Sequence, residues 1–120
     1  MRTPEVVAFV SIEDEDPDFV VSFALEPQGS RSITLLRTPH HEELLNLAEE
    51  DRGVAVMSDG QHPTRELLQS ISFDPDEIVI QSQVRTQRLS ASKLSAEDRA
   101  DAVNMLKRMN FDGRFVINAA

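Results

Sequence analysis

The sequence predicts one α+β domain, in which a mostly antiparallel sheet of about six strands carries one or two helices on one face. Two patterns lead to this prediction. Short segments rich in Val, Ile and Phe are separated by turn residues along most of the chain, and a segment near its end has helical apolar spacing. The chain of 120 residues is long enough for one hydrophobic core and short for two domains. We therefore expect residues 1–120 to fold as a single unit.

Three strands are predicted first, joined by tight connections. Glu5–Glu13 is rich in Val, Phe and Ile, and Asp18–Glu26 alternates apolar with polar residues, as a half-buried strand does. A turn at residues 27–30 (PQGS) leads into a third strand, Arg31–Arg37. Because the connections are short, we expect an antiparallel meander. The phenylalanines of the predicted strands are expected in the core: Phe9, Phe19, Phe23 and Phe73.

A helix is predicted to follow the third strand. Thr38 can cap its first turn, Pro39 suits its first position, and Gly53 is placed to end it. Its buried stripe is expected to consist of Leu44, Leu45, Leu47 and Ala48.

The middle of the chain predicts further strands. Val54–Met57 fits a short strand, and residues 61–65 fit a loop. Residues 66–73 fit either a helix or a strand, and their alternation towards the end favours a strand. The turn residues 74–76 (DPD) separate this segment from Glu77–Gln83, which is expected to pair back on it as a hairpin.

The last helix is the clearest one in the sequence. Ser95 is placed as its N-cap, with Asp98 three residues later in a variant of the capping box. Asn110 and Gly113 are stop signals, and residues 114–118 (RFVIN) fit a short final strand or an ordered tail. The apolar stripe of the helix is predicted to contain Ala102, Val103, Leu106 and Met109.

The charge of the chain is strongly negative and unevenly placed. Twelve Lys and Arg face 21 Asp and Glu, for a net charge of -9; residues 1–60 hold 13 acids and 4 bases, and residues 61–120 hold 8 of each. This sign disfavours nucleic acid and anionic membranes as partners. It favours a protein partner, since complementary charge speeds association. The residues predicted to bind this partner are Glu13, Asp14, Glu15, Asp16, Asp18, Arg85 and Arg88.

The motifs of catalysis and metal binding are missing from the sequence. The acids at 14, 16 and 18 begin like a calcium loop, but Phe19 and Leu25 stand where that loop needs glycine and glutamate. His40 and His41 are adjacent, whereas a zinc helix spaces its histidines four apart. There is no cysteine, no phosphate-binding glycine loop and no nucleophile elbow. We therefore expect a cytoplasmic protein that is not an enzyme and holds neither a metal nor a cofactor.

Four short motifs follow one another in the middle of the chain: residues 50–56 (EDRGVAV), 59–61 (DGQ), 71–73 (ISF) and 77–80 (EIVI). Their order resembles that of the elements in bacterial polymorphic-toxin immunity proteins, most nearly Immunity protein 10, and the resemblance covers residues 50–80. It implies a non-enzymatic cytoplasmic protein that binds and neutralises a cognate toxin, which would be basic if it is a nuclease.

Two other functions are compatible with the sequence. A small acidic secretion chaperone or adaptor would also be free of cysteine, α+β and commonly a homodimer, and its client groove would show as apolar strand residues that face solvent. A regulatory module without a recognisable motif is the third alternative. The partner, the oligomeric state and the position of the interface are not determined by the sequence.

Overall fold

A computed structural model describes residues 5–15, 18–26, 31–58 and 66–119, with the side chains of residues 14 and 15 left out. The predicted turn at 27–30 and the predicted loop at 61–65 lie outside these residues. The described residues form eight strands, two α-helices and a 3₁₀ turn at Glu49–Asp51. The elements are β1 (Glu5–Glu15), β2 (Asp18–Leu25), β3 (Arg31–Arg37), α1 (Pro39–Leu44), β4 (Ala55–Ser58), β5 (Leu68–Phe73), β6 (Glu77–Ser82), β7 (Thr86–Ser90), α2 (Ala96–Met109) and β8 (Val116–Ala119).

The α+β class is confirmed, but the sheet is larger than expected. It contains eight strands in the order β4-β3-β2-β1-β7-β6-β5-β8, not about six. The predicted meander β1-β2-β3 and the hairpin β5-β6 are both present and antiparallel. The strand that the sequence did not reveal is β7, because Leu89 is its one buried residue and its polar composition hides it. Pairing with β6 and with the start of β1 holds β7 in place.

Two parallel pairs make the sheet mixed. Residues 5 and 6 of β1 pair with β7, and β8 pairs with β5 along its whole length. The sheet also curls until β4 meets the segment ahead of β5, where Ala55 bridges Leu67. The Val56 amide donates to the Glu66 carbonyl, and the Leu68 amide donates to the Val54 carbonyl, both at 2.8 Å. The curled sheet therefore encloses its own apolar interior.

The core fills this interior, and α2 packs on it. The rings of Phe23 and Phe73 lie there with centroids 6.5 Å apart. The prediction for Phe9 is wrong, because this ring is half exposed. The register of β1 against β2 shifts between Val7 and Phe9. Beyond this bulge, Val10 and Ile12 pack against the core and Phe9 does not. Phe19 is only partly buried at the edge of the core.

The first helix is much shorter than predicted. It ends at Leu44, and the side chains of Leu44 and Leu45 are each 67% exposed, so the predicted buried stripe is wrong. Asn46 ends the helical turn with a φ of 48°, a left-handed conformation that asparagine tolerates. The buried residue of α1 is Glu42, which points at Arg37. Apolar leucines thus face solvent because a buried ion pair determines which face of α1 turns inward.

The predictions for α2 are confirmed. Ser95 accepts a hydrogen bond from the Asp98 amide at 3.0 Å, as an N-cap does. The four predicted stripe residues are buried, and Met105 joins them. Among the described residues, no helix is long and apolar enough to cross a membrane.

Candidate protein-binding surface

The strand register brings two acidic segments to the same end of strands β1 to β4: the end of the β1-β2 hairpin and the segment between β3 and β4. Glu15 pairs with Asp18 at the end of the β1-β2 hairpin, and the next residue of β2, Phe19, pairs with Arg37 at the end of β3. The segment that connects Arg37 to β4 carries further acids and lies at the same end of the strands, since Leu36 pairs with Ala55. We call this end of the sheet the acidic end. Its acids outside the hairpin are Glu42, Glu43, Glu49, Glu50 and Asp51.

The predicted acids of the hairpin occupy different environments. The Glu13 side chain is exposed on β1, whereas Asp18 is partly buried and one of its carboxylate oxygens lies away from solvent without a hydrogen-bond partner. The backbone of Asp14 and Glu15 continues β1, and Asp16 lies outside the described residues. Glu13 is therefore the described hairpin acid best exposed to a partner.

The two predicted arginines lie elsewhere and already have partners. Arg85 forms an ion pair with Glu66 at 3.2 Å, and Arg88 forms one with Glu77 at 2.6 Å. Residue 89 of β7 pairs with Glu5, which lies eight residues, roughly 25 Å of strand, from Glu13. The structure thus does not join the predicted arginines and acids into one surface.

The side chain of Arg37 is buried at the acidic end. Arg37 is 1% exposed, and all five of its N–H groups donate hydrogen bonds. Its Nε and Nη2 contact the two oxygens of Glu42 at 3.1 and 3.0 Å, and its Nη1 and Nη2 contact the two oxygens of Asp112 at 2.7 and 2.8 Å. The fifth bond goes from Nη1 to the carbonyl of Met109 at 2.9 Å. The ring of Phe111 covers the guanidinium at 4.2 Å.

Two further groups extend this cluster across the surface. Arg114 contacts Asp112 through Nε and Glu49 through Nη2, and its Nη1 donates to the Glu49 carbonyl at 2.6 Å. The Gly53 amide donates to Glu42 at 3.2 Å. The ion-pair cluster therefore ties together β3, α1, the 3₁₀ turn and the loop after α2.

The charges of this cluster stabilise one another. Hydrogen bonding from Arg37 lowers the pKa of Asp112 well below its usual range, and Arg114 adds to this effect. Burial lowers the pKa of Arg37, but its bonds to Asp112 and Glu42 outweigh burial, and the net shift is upward. Hydrogen bonds to Asp112 and Glu49 raise the pKa of Arg114. Arg37, Asp112 and Arg114 therefore each favour the charged form of the groups they contact.

The sequence contained a signal for the buried arginine that the prediction did not use. Residues of a strand alternate between two faces, so Arg37 shares its face with Ile33 and Leu35, both of which are buried. An arginine on the buried face of a strand requires a hydrogen-bonded carboxylate, because an unpaired buried charge is costly. Glu42 lies five residues later in the sequence. The second partner, Asp112, is 75 residues away in sequence and gave no such signal.

A second buried carboxylate lies where β4 meets the start of β5. Glu66 is 7% exposed and accepts a hydrogen bond from the Ser82 hydroxyl at 2.6 Å. The same hydroxyl accepts hydrogen bonds from the amides of Val84 and Arg85, both at 3.1 Å. Ser82 thus holds both the carboxylate and the turn between β6 and β7.

The described residues contain no group of three or more His, Asp or Glu side chains that could hold a metal ion. The rings of His40 and His41 meet edge to face with centroids 6.5 Å apart, and His62 lies outside the described residues. A cavity of about 260 Å³ between the 3₁₀ turn and β5 includes Arg114, whose guanidinium is already bound by Asp112 and Glu49.

Comparison with known proteins gives no relative for this chain: no protein-family model, no curated protein and no solved structure matches it.

Proposed function

We propose that this protein acts by binding a basic protein partner at its acidic end, and not by catalysis. The observation that supports this proposal is the register of β1 to β4, in which the end of the β1-β2 hairpin and the segment between β3 and β4 lie at the same end of the strands. Described acids that are 24 or more residues apart in sequence, such as Asp18 and Glu43, thereby lie at one end of the sheet. Such a concentration of one sign attracts a partner of the opposite sign and raises the rate of encounter.

The ion-pair cluster suits this role because it fixes the backbone beneath the acids. Arg37 anchors Glu42 in α1, and Arg114 anchors Glu49 at the 3₁₀ turn. Acids such as Glu43 and Glu50 are thus carried on a segment that is held at several points. A surface that is ordered before binding loses less conformational entropy when the partner docks.

The partner class that fits best is a basic toxin, which makes the protein a cytoplasmic immunity protein. The resemblance of residues 50–80 supports this class, and the negative charge is suited to covering a surface that binds phosphate. The secretion-chaperone alternative is less favoured by the geometry. Its client groove needs neighbouring apolar strand residues on the surface, whereas exposed Phe9 and Val116 lie on β1 and β8, four positions apart in the sheet order.

The experiment is an affinity capture from lysate of the source cell at low and high salt, with mass spectrometry of the retained proteins. The wild-type protein is compared with the triple variant Glu13→Lys, Asp14→Lys and Asp16→Lys, which spares half-buried Asp18. The matched control reverses three acids outside the acidic end: Asp74→Lys, Asp76→Lys and Asp101→Lys. Circular dichroism of all three proteins shows whether each one is folded.

We expect the wild-type protein and the control variant to retain the same basic protein at low salt and to release it at high salt, because salt screens surface charge. The acidic-end variant is expected to lose it. Equal retention by the folded acidic-end variant would contradict the proposal, and retention of salt-resistant apolar clients would favour the chaperone.

A further inference from the structure

A groove lies between one side of α2 and the end of β8. Its volume is about 430 Å³, and two cations but no acid line it, in a chain whose net charge is -9. The wall on α2 is a single stripe, since its main residues are spaced at i, i+4, i+7 and i+11. The lining consists of Ala96, Arg99, Ala100, Val103, Asn104 and Lys107 of α2 and Ala119 of β8.

The strand beside this groove has an open edge. β8 is the last strand of the sheet and pairs with β5, and no other described strand pairs with it. Its residues 116–119 (VINA) include no charge and no proline, which are the usual means of protecting an exposed edge from added strands. Val116 is 56% exposed. The unpaired amides and carbonyls of β8 are thus available to a further strand.

The two cations of the groove also have unused bonding capacity. Arg99 donates from Nη2 to the Pro75 carbonyl at 2.9 Å, but its Nε is buried and has no hydrogen-bond partner. Lys107 is exposed, and no described carboxylate forms an ion pair with it. Both side chains line the groove, so a carboxylate that enters it can form charge-assisted hydrogen bonds with them.

We propose that α2 and β8 form a binding groove for an extended acidic segment of a partner protein. The segment adds to β8 as a further strand, its main chain bonds to the open edge, and its acidic side chains meet Arg99 and Lys107. A second copy of this chain fits less well. Two-fold pairing of β8 would bring two cationic helix walls together, and β8 has no acid to offset them.

This groove is separate from the acidic end and has the opposite charge. The two proposals therefore predict different partners, and each can fail while the other stands.

The experiment is a binding titration with a short fluorescein-labelled peptide of alternating valine and glutamate, followed by fluorescence anisotropy at low salt. Three comparisons define the mode of binding. A peptide of alternating valine and lysine tests charge. The glutamate peptide with N-methyl groups on alternate residues tests main-chain pairing. The variant Lys107→Glu tests the groove, and Arg88→Glu makes the same charge change on exposed β7 as its control.

We expect the glutamate peptide to bind, and the lysine peptide and the N-methylated peptide not to bind. Lys107→Glu is expected to weaken binding by about tenfold or more and Arg88→Glu by less than about twofold, since charge acts mainly at short range in salt. In ¹⁵N spectra of the full chain, the peptide should shift the amides of residues 116–119 and of the α2 stripe.

Three results would overturn the proposal. The first is absence of binding by the glutamate peptide to the wild-type protein. The second is equal binding by the N-methylated peptide, which would show attraction to surface charge without strand addition. The third is a dimer in sedimentation experiments whose formation protects the amides of β8 from exchange, since a second copy would then occupy the groove.

Discussion

Arg37 and Asp112 form a bidentate ion pair that joins the end of β3 to the loop after α2, across 75 residues of sequence. Glu42 binds the same guanidinium from the other side, so one buried cation lies between two carboxylates. A buried charge is tolerable only when it is paired and hydrogen-bonded, and Arg37 meets this condition with every donor that it has. Arg37 therefore joins the end of β3, α1 and the loop after α2 in one buried ion-pair cluster.

Replacing this residue should destabilise the protein strongly. We expect Arg37→Met to lower the free energy of unfolding by about 3–5 kcal/mol, because it leaves buried Glu42 and partly buried Asp112 without their cation. Urea unfolding followed by circular dichroism measures this change. The control is Arg31→Met, which removes an exposed ion pair with Glu5 and should cost about 1 kcal/mol or less. Similar losses for the two variants would show that the buried ion pairs contribute no more to the free energy of unfolding than an exposed ion pair does.

The same cluster predicts how stability depends on acid. The pKa of folded Asp112 lies below its unfolded value of about 3.9, so the unfolded chain takes up its proton first as the pH falls. The stabilisation from Asp112 is thus complete above the unfolded pKa and is lost progressively below about pH 4. We expect the free energy of unfolding to drop less between pH 6 and about pH 3 in Asp112→Asn than in the wild type. An equal drop in both proteins would contradict this assignment.

The sequence predicted most elements that bury a regular apolar face and missed those that depend on distant partners. The meander, the hairpin β5-β6 and α2 carry their own periodicity, so their local pattern was sufficient. Strand β7 has one buried residue and exists because two neighbours pair with it. The length and facing of α1 depend on Arg37 reaching Glu42, which no helical period encodes. The acidic surface was predicted for residues 13–18, but its second half follows from strand register.

The two helices provide a test of capping. Ser95 accepts a hydrogen bond from the Asp98 amide at the start of α2, whereas Thr38 ahead of α1 makes no side-chain cap bond. We expect Ser95→Ala to cost about 1 kcal/mol of stability, because an amide of the first turn loses its acceptor. Thr38→Ala is the matched control and should cost clearly less. Thermal unfolding measures both, and a loss for Thr38→Ala as large as that for Ser95→Ala would contradict the assignment.

Ser82 should be the most sensitive serine of the described chain, because one hydroxyl serves three groups. It donates to buried Glu66 and accepts from the amides of Val84 and Arg85. Ser82→Ala would leave a buried carboxylate oxygen and two amides short of a partner, and such groups cost about 1–3 kcal/mol each where water cannot reach them. We expect a loss of about 2 kcal/mol or more in urea unfolding. Faster exchange of the Val84 and Arg85 amides in ¹⁵N spectra should accompany this loss.

The control is Ser90→Ala, because the Ser90 hydroxyl bonds to exposed Ser92. Its free energy of unfolding should lie within about 0.5 kcal/mol of the wild-type value. If the two variants were equally stable, Glu66 would have to be held by Arg85 alone.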